Sequence, residues 1–341
     1  MKIGIVGYRG SGKTTLFEWL TGAQPDLAHA HLTQTAMASV PDSRLHSLSE
    51  IYKPKKITEA ALEMVDTPRL SRTHEGSAAK LAMIREAGCL VIVLASHEGS
   101  DAVADLSNFD DDMLIADVDV VSGRIERLRE QITKPRPNRD ELRKELEALE
   151  PLLAVLESGQ PMREADLSPD QSKAIRSFQL FSEKPRLVIV NIADDDSEPE
   201  RFQQQMPAGT HVATVSLDLQ MELSRMEEDE RDEFCREMGV GVFDRDSLLQ
   251  RIMDVSGQML FFTVGPKEVH AWMISKGATA QEAAGCIHTD LARGFIRAEV
   301  MTCEALLRLG SEREVKAHNL MRKEHKEYVV QEDDILLIQH N

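Results

Sequence analysis

The sequence predicts an α/β protein with a mostly parallel sheet, and three observations lead to that prediction. Short apolar runs alternate with helix-compatible segments along much of the chain. A glycine-rich turn joins the first of these runs directly to a helical segment. Two long stretches with a helical apolar periodicity interrupt the alternation and indicate an inserted pair of helices. A sheet of this kind places its ligands at the carboxyl ends of its strands.

The first sheet is predicted from apolar runs of strand length. These runs are residues 3–6, 61–66, 89–95, 187–191 and 211–215. The polar, histidine-containing stretch 24–39 lies between the first two runs and has no clear periodicity, so we expect a loop there.

The turn after the first strand matches a phosphate-binding loop. Residues 7–14 read Gly-Tyr-Arg-Gly-Ser-Gly-Lys-Thr, the full pattern G-x-x-x-x-G-K-[ST]. Its backbone N–H groups and the helix that follows can hold phosphate oxygens, and Lys13 can reach the β- and γ-phosphates as the catalytic charge. The predicted nucleotide-binding residues of this segment are Gly7, Gly10, Ser11, Gly12, Lys13, Thr14 and Thr15.

Two further strand ends supply candidate site residues. Asp66 ends the second strand, where a carboxylate can complete a Mg²⁺ shell begun by the Thr14 hydroxyl. Asn191-Ile192-Ala193-Asp194 has the frame of the guanine-reading element N-K-x-D but lacks its lysine. Asp194 can accept hydrogen bonds from guanine, whereas Ile192 offers a backbone amide and an apolar wall. The sequence therefore permits guanine and leaves adenine open.

The inserted helices should form an antiparallel hairpin. Apolar residues recur at heptad spacing over residues 114–132 and again over 142–156, and Pro135-Arg136-Pro137 separates the two runs. Ser168 and Pro169 are predicted to begin a further helix.

The C-terminal part of the chain is predicted to be a small mixed α+β module. Its expected strands are residues 260–264, 269–273, 295–301, 328–331 and 335–338. Thr279 and Glu282 have the spacing of a capping box that opens a short helix. We therefore expect a nucleotide-binding domain at 1–112 and 183–259, a helical insertion at 113–182, and a C-terminal domain at 260–341.

Composition limits the classes of partner and compartment. The net charge of −18 disfavours non-specific binding to nucleic acid or anionic membranes, and we expect no sequence-specific DNA binding. The longest apolar run has the length of a strand rather than a membrane span, and the phosphate loop follows the first residues without a signal peptide. A cytoplasmic protein is therefore expected. The four cysteines lack C-x-x-C spacing and are expected to be reduced.

Several sequence blocks resemble one known family. They are residues 7–15, 40–45, 84–86, 271–272, 287–290, 293–300 and, most distinctively, Phe261-Phe262-Thr263-Val264-Gly265-Pro266-Lys267-Glu268. Over essentially its whole length the chain resembles the YchF, or Obg-like, ATPases, as a divergent member. The resemblance implies a P-loop NTPase domain of the GTPase type, a coiled-coil insertion and a C-terminal β-grasp-like TGS domain.

The same resemblance implies function and site residues. The family binds and hydrolyses ATP in preference to GTP and associates with ribosomes. By resemblance, Asn191, Ile192 and Asp194 contact the base, although the family usually has Glu in place of Asp194. Thr33 is our choice, over Thr35, for the switch threonine that ligates Mg²⁺.

Two departures from the family leave two functional hypotheses. Arg69 replaces a family glycine, and Ile92 replaces a histidine implicated in catalysis. Like the family, the chain has a hydrophobic residue, Leu70, where related GTPases have a water-orienting glutamine. One hypothesis is a nucleotide-dependent switch with slow hydrolysis of ATP or of GTP. The alternative is a nucleotide-sensing binding protein that has lost hydrolysis. A small-molecule kinase would leave the C-terminal module unexplained.

Overall fold

The computed structural model describes residues 1–26, 33–67, 84–97, 99–135, 137–196 and 198–341. These residues group into two compact units. The first consists of Met1–Ala36 and Glu63–Phe243, and the second of Met37–Leu62 and Asp244–Asn341. The three-domain division stays a prediction.

The strands are β1 (Lys2–Val6), β2 (Gln34–Val40), β3 (Lys56–Thr58), β4 (Ala60–Asp66), β5 (Cys89–Ser96), β6 (Arg186–Ile192), β7 (His211–Val215), β8 (Gln258–Thr263), β9 (Glu268–Ser275), β10 (Phe295–Thr302), β11 (Arg322–Glu324) and β12 (Asp334–His340). The helices are α1 (Lys13–Thr21), α2 (Ser43–Tyr52), α3 (Ala102–Ile132), α4 (Arg139–Glu157), α5 (Pro169–Ile175), α6 (Arg201–Gln205), α7 (Leu217–Leu223), α8 (Glu228–Met238), α9 (Arg245–Val255), α10 (Ala280–Ile287), α11 (Thr289–Arg293), α12 (Cys303–Leu309) and α13 (Glu312–Ala317).

The first sheet confirms the predicted α/β class. Its strand order among the described residues is β2-β4-β1-β5-β6-β7, and β4, β1, β5, β6 and β7 pair in parallel. All five predicted apolar runs are strands of this sheet. The central strand β5 is buried from Cys89 to Ala95, as expected for a parallel strand covered on both faces. The carboxyl ends of these parallel strands therefore share one edge.

Strand β2 corrects the last part of the loop predicted over residues 24–39, of which residues 27–32 lie outside the described residues. Residues 34–40 form a strand in which Ala38 and Val40 are buried while Thr35, Met37 and Ser39 are exposed. This is the alternation of a half-buried strand. The residues that point inward include small alanines, so the difference in hydropathy between the two faces of the strand is small even though its geometry is regular.

The predicted helical hairpin is present as α3 and α4, which we call the helical arm. The two helices bury a shared apolar seam composed of Val121, Ile125, Leu128, Leu142, Leu149, Leu152 and Leu156. Arg124 adds a two-bond ion pair to Glu145, with both N···O distances 2.7 Å. Helix α5 begins at Pro169 after Ser168, as predicted, and Ser168 and Gln171 form a capping box there.

A buried polar cluster joins the arm to the first sheet. Asp117 of α3 is fully buried and accepts hydrogen bonds from Arg85 (3.0 Å), the Phe181 N–H (3.0 Å) and both the N–H and hydroxyl of Ser182 (each 2.8 Å). Lys184 donates to the carbonyls of Arg85 and Ala87 at 3.0 and 2.6 Å. We call Arg85, Asp117, Ser182 and Lys184 the arm-base cluster.

The second unit contains a mixed sheet in the order β11-β10-β12-β8-β9-β3. Four of its predicted strands are confirmed as β8, β9, β10 and β12, and the Thr279–Glu282 capping box is present. The predicted strand at 328–331 is wrong, because the segment forms an isolated bridge between Val329 and Thr279. The Asp334 carboxylate accepts from the Tyr328 hydroxyl at 2.7 Å and the Gln331 N–H at 2.8 Å, which holds the segment as a turn.

The expectations about the cysteines and about membrane spans can also be compared with the structure. All four cysteines are free thiols, as predicted. Among the described helices, none combines the length and the apolar character that crossing a bilayer would require.

Candidate functional site

The phosphate loop follows β1 and leads into α1, the strand–loop–helix context that the motif needs. Gly12 has a left-handed backbone with φ of 98°, and a Cβ there would lie 2.7 Å from the Asn191 amide nitrogen. Gly7 has φ of 151°, and its Cβ would lie 2.3 Å from the Val93 carbonyl oxygen. Glycine is therefore required at both positions by conformation and by space.

Lys13 begins helix α1 and is nearly buried. Its ammonium donates to the Tyr8 carbonyl at 3.0 Å, so the side chain folds back over the loop. The positive end of the helix dipole and the ammonium thus face the same space. This arrangement suits a polyphosphate.

Thr14, at the start of α1, and Asp66, the last residue of β4, are in contact. The Thr14 hydroxyl donates to the Asp66 carboxylate at 3.0 Å, and Asp66 is 7% exposed. Magnesium prefers such hard oxygen donors and usually keeps several waters and substrate phosphates in its shell. A pair of protein oxygens beside a phosphate loop fits that preference. Within the described ranges, no group of three His, Cys, Asp or Glu side chains is arranged to bind a metal by itself.

The predicted base-reading segment lies at the end of β6. Asn191 donates to the Ser11 carbonyl at 3.3 Å and accepts from the Leu217 N–H at 3.1 Å, so it connects the phosphate loop to the start of α7. Asp194 accepts a hydrogen bond from the Ser216 hydroxyl. Ile192 packs partly buried against the apolar core of the sheet rather than lining the cavity.

One cavity of about 310 Å³ collects most of the predicted site residues. It is lined by Arg9, Gly10, Ser11, Gly12, Lys13, Thr14, Thr15, His97, Asn191 and Asp218. Its size falls at the lower end of the range for ligand pockets. His97, which follows β5, and Asp218, in the first turn of α7, were missed by sequence reasoning because no motif marks them. Their signal is positional, since both follow the carboxyl ends of parallel strands.

Five predicted site residues do not line this cavity: Gly7, Thr33, Asp66, Ile192 and Asp194. Of these, Asp66 accepts a hydrogen bond from the lining residue Thr14. Thr33 lines a different cavity, of about 210 Å³, with Gly4, Val65 and Ala87, and its magnesium role stays a prediction. Arg69 and Leu70 lie outside the described residues. Ile92 is fully buried in the apolar core, where its side chain has no group that binds water.

Comparison with known proteins identifies relatives over the full length. A family model named YchF-GTPase_C, described as "Protein of unknown function (DUF933)", matches residues 259–341. The chain is 31% identical to the ribosome-binding ATPase YchF of Haemophilus influenzae, with 100% of this chain and 99% of the relative covered. It is 32% identical to Obg-like ATPase 1 of Oryza sativa subsp. japonica, with 100% and 92% covered.

A solved structure agrees with these relatives. The YchF GTPase of Schizosaccharomyces pombe superposes with a TM-score of 0.84 at 26% identity, covering 99% of this chain and 97% of that one. The first sheet and its phosphate loop therefore have the P-loop NTPase fold predicted from the sequence. With identity above 30% across its entire length, the chain belongs to the family of YchF and Obg-like ATPases.

Proposed function

We propose that this protein binds a purine nucleoside triphosphate with Mg²⁺ in the phosphate-loop cavity and hydrolyses it slowly, ATP in preference to GTP. The observation that supports this most is the convergence of Lys13, the Thr14–Asp66 pair and Asn191 around one cavity at the carboxyl edge of the sheet. The loop amides and the Lys13 ammonium would hold the phosphates. Thr14 would ligate Mg²⁺, and Asp66 would accept from its water. The metal would neutralise charge on the β- and γ-phosphates.

The base preference follows from the missing lysine. In N-K-x-D the lysine stem covers the guanine ring, whereas here Ile192 packs against the core. Asp194 is held by Ser216 beside the same strand end, so a guanine-reading carboxylate persists without its usual partner. The two relatives described above carry ATPase in their names, which supports ATP as the preferred nucleotide.

Slow hydrolysis is expected because charge stabilisation is present while water positioning is poor. Ile92 occupies the place of the family histidine, and its buried side chain can neither accept a proton nor orient water. The same residue favours a second candidate function, a nucleotide sensor without hydrolysis.

The partner we propose is the ribosome. Its support is the name of the Haemophilus influenzae relative, a ribosome-binding ATPase. In this proposal, nucleotide state controls the association, as in other P-loop switches.

The deciding experiment is titration calorimetry of nucleotide-free protein with ATP, GTP, ADP and GDP, with Mg²⁺ or with EDTA. We expect saturable binding, and Lys13→Ala should weaken Mg-ATP binding about 100-fold because a charged hydrogen-bond donor is lost. Lys173→Ala, which changes an exposed lysine of the same unit, is the matched control. Absence of saturable binding by the unmodified protein would refute the proposal.

Two further measurements test the remaining parts. Single-turnover assays should show ADP formation above the Lys13→Ala background, and its absence despite tight binding would favour the sensor. Co-sedimentation with ribosomes should depend on which nucleotide is present, and equal sedimentation in all states would refute the switch.

A further inference from the structure

Arg9 is a cation of the phosphate cavity to which no role has been assigned. It is the third residue of the loop, its side chain is exposed, and it lines the same cavity as Lys13 and Thr14. Within the described part of the chain, Arg9 makes no hydrogen bond or ion pair through its side chain. Its guanidinium is therefore available to a ligand of that cavity.

The hydrogen bonds of the loop indicate which end of the cavity Arg9 faces. The Lys13 ammonium contacts the Tyr8 carbonyl, which belongs to the peptide bond that joins Tyr8 to Arg9. A phosphate-loop lysine reaches the β- and γ-phosphates. Arg9 therefore starts beside the terminal phosphates, whereas Asn191 lies on the side of the base-reading segment.

The surrounding charges favour a cation at this point. Asp66 and Asp218 bring negative charge to the site, and a triphosphate adds more. In the transition state, charge spreads over the oxygens of the γ-phosphoryl group. A guanidinium presents several donors in one plane and stays protonated, so it matches that oxygen arrangement better than an ammonium. Because Ile92 cannot orient the attacking water, stabilisation of the negative charge on the γ-phosphoryl oxygens is the remaining way to lower the barrier to hydrolysis.

We propose that Arg9 is a catalytic residue that donates from its guanidinium to the γ-phosphoryl oxygens in the transition state, supplied by the chain itself. This inference rests on the proposed hydrolysis. The oxygen of water forms a bond to the γ-phosphorus as the bond to the bridging oxygen breaks. The electron pair of that bond leaves on the β-phosphate of the diphosphate, and both protons of the water end on the released phosphate. Arg9 keeps all its protons throughout.

The test compares Arg9→Ala and Arg9→Lys with the unmodified full chain. In single-turnover assays with Mg-ATP, Arg9→Ala should lower the rate about 10³-fold, the lower end for an arginine finger. Its Kd for Mg-ATP should change less than about threefold, because the interaction forms mainly in the transition state. Arg9→Lys should recover part of the rate, since it restores the charge without the fork of donors.

Two additional measurements separate catalysis from folding and from ground-state binding. Arg143→Ala removes an exposed arginine from helix α4 and should leave rate and affinity unchanged. ADP with aluminium fluoride imitates the transition state, so Arg9→Ala should weaken its binding while the affinity for ADP alone is retained.

The outcomes distinguish this inference from the proposed function. An unmodified protein that hydrolyses ATP, together with an Arg9→Ala variant of equal rate, would overturn the role of Arg9 alone. Parallel loss of ATP and ADP affinity with the rate would also overturn it, because Arg9 would then be a ground-state ligand. If the unmodified protein binds ATP and forms no ADP, the proposed hydrolysis itself is refuted, and the role of Arg9 with it.

Discussion

The phosphate cavity and the arm-base cluster both contain buried charged side chains, but their partners differ. In the arm-base cluster, Asp117 accepts four hydrogen bonds from protein groups, and Arg85 also lies 4.1 Å from the centre of the Phe181 ring. In the cavity, Lys13 and Thr14 also bond protein oxygens, yet their side chains border open space of about 310 Å³.

The difference separates a structural charge from a functional one. A buried charge enclosed by protein donors and acceptors fixes two elements relative to each other, and removing its partner leaves an uncompensated charge. A charge at the wall of a cavity can exchange its protein contact for a ligand contact. Burial of a charged side chain alone therefore does not identify a functional residue. A buried charged side chain that also lines a cavity is a better indicator.

The largest expected effect is on stability, from Asp117→Ala. The change leaves the Arg85 guanidinium and two buried N–H groups without their acceptor, so the free energy of unfolding should fall by about 3–5 kcal/mol. Urea unfolding followed by circular dichroism measures it. Asp119→Ala, at an exposed position of the same helix, is the control. A loss below about 1 kcal/mol would remove the distinction between the two regions.

Asp66→Asn should have the opposite signature, a functional loss with little change in stability. The amide keeps the size of the side chain but removes the charge that would hold a magnesium-bound water. Affinity for Mg-ATP should fall about 10- to 100-fold. Calorimetry in EDTA is the internal control, because the affinity without metal should be unchanged. An equal loss with and without Mg²⁺ would assign Asp66 to the folding of the loop.

Much of the fold could be predicted because its signals are local. The buried parallel strands are continuous apolar runs, and the arm is a heptad pattern interrupted by prolines. The phosphate loop is a contiguous motif, and Asp66 was chosen because it ends a strand. The structure then placed Thr14 and Asp66 3.0 Å apart, although 52 positions separate them in sequence.

The missed features depend on contacts that no local pattern contains. Strand β2 turns alanines inward, which gives little hydropathy contrast. The segment 328–331 has residues typical of a strand, but the Tyr328 hydroxyl and the Gln331 N–H donate to the Asp334 carboxylate instead of to a neighbouring strand. In the arm-base cluster, Arg85 and Asp117 form an ion pair across 32 positions, and a three-residue motif around Arg85 does not reveal its partner.

A smaller functional effect is expected from Ser216→Ala. The hydroxyl of Ser216 donates to Asp194, and its loss should let that carboxylate rotate away from the base. Nucleotide affinity should fall by about 1 kcal/mol, or roughly fivefold, the usual net value of such a bond. Calorimetry with both ATP and GTP shows which base depends on Asp194. Ser216 precedes helix α7, and Ser224 is an exposed serine that follows it. The control Ser224→Ala should change neither the ATP nor the GTP affinity.

The smallest effect concerns the pH dependence of the arm-base cluster. Burial, and next the charge of Arg85, lower the pKa of Lys184 from its ordinary value of 10.5. Between that lowered pKa and 10.5 the unfolded chain binds more protons than the folded one, so this residue makes the free energy of unfolding rise with pH.

Comparison of the unmodified protein with Lys184→Met isolates this contribution, because the other groups titrate in both proteins. The stability difference, unmodified minus variant, should be constant near neutral pH and then increase toward pH 10.5. Urea midpoints measured across that range test it, with Lys173→Met as an exposed control whose difference should stay flat. A difference that falls with pH would mean that the cluster stabilises the charged ammonium. Lys184 of the arm-base cluster and Lys13 of the cavity would then both be charged side chains in a stabilising environment. The contrast between the two regions would depend only on their carboxylates, Asp117 and Asp66.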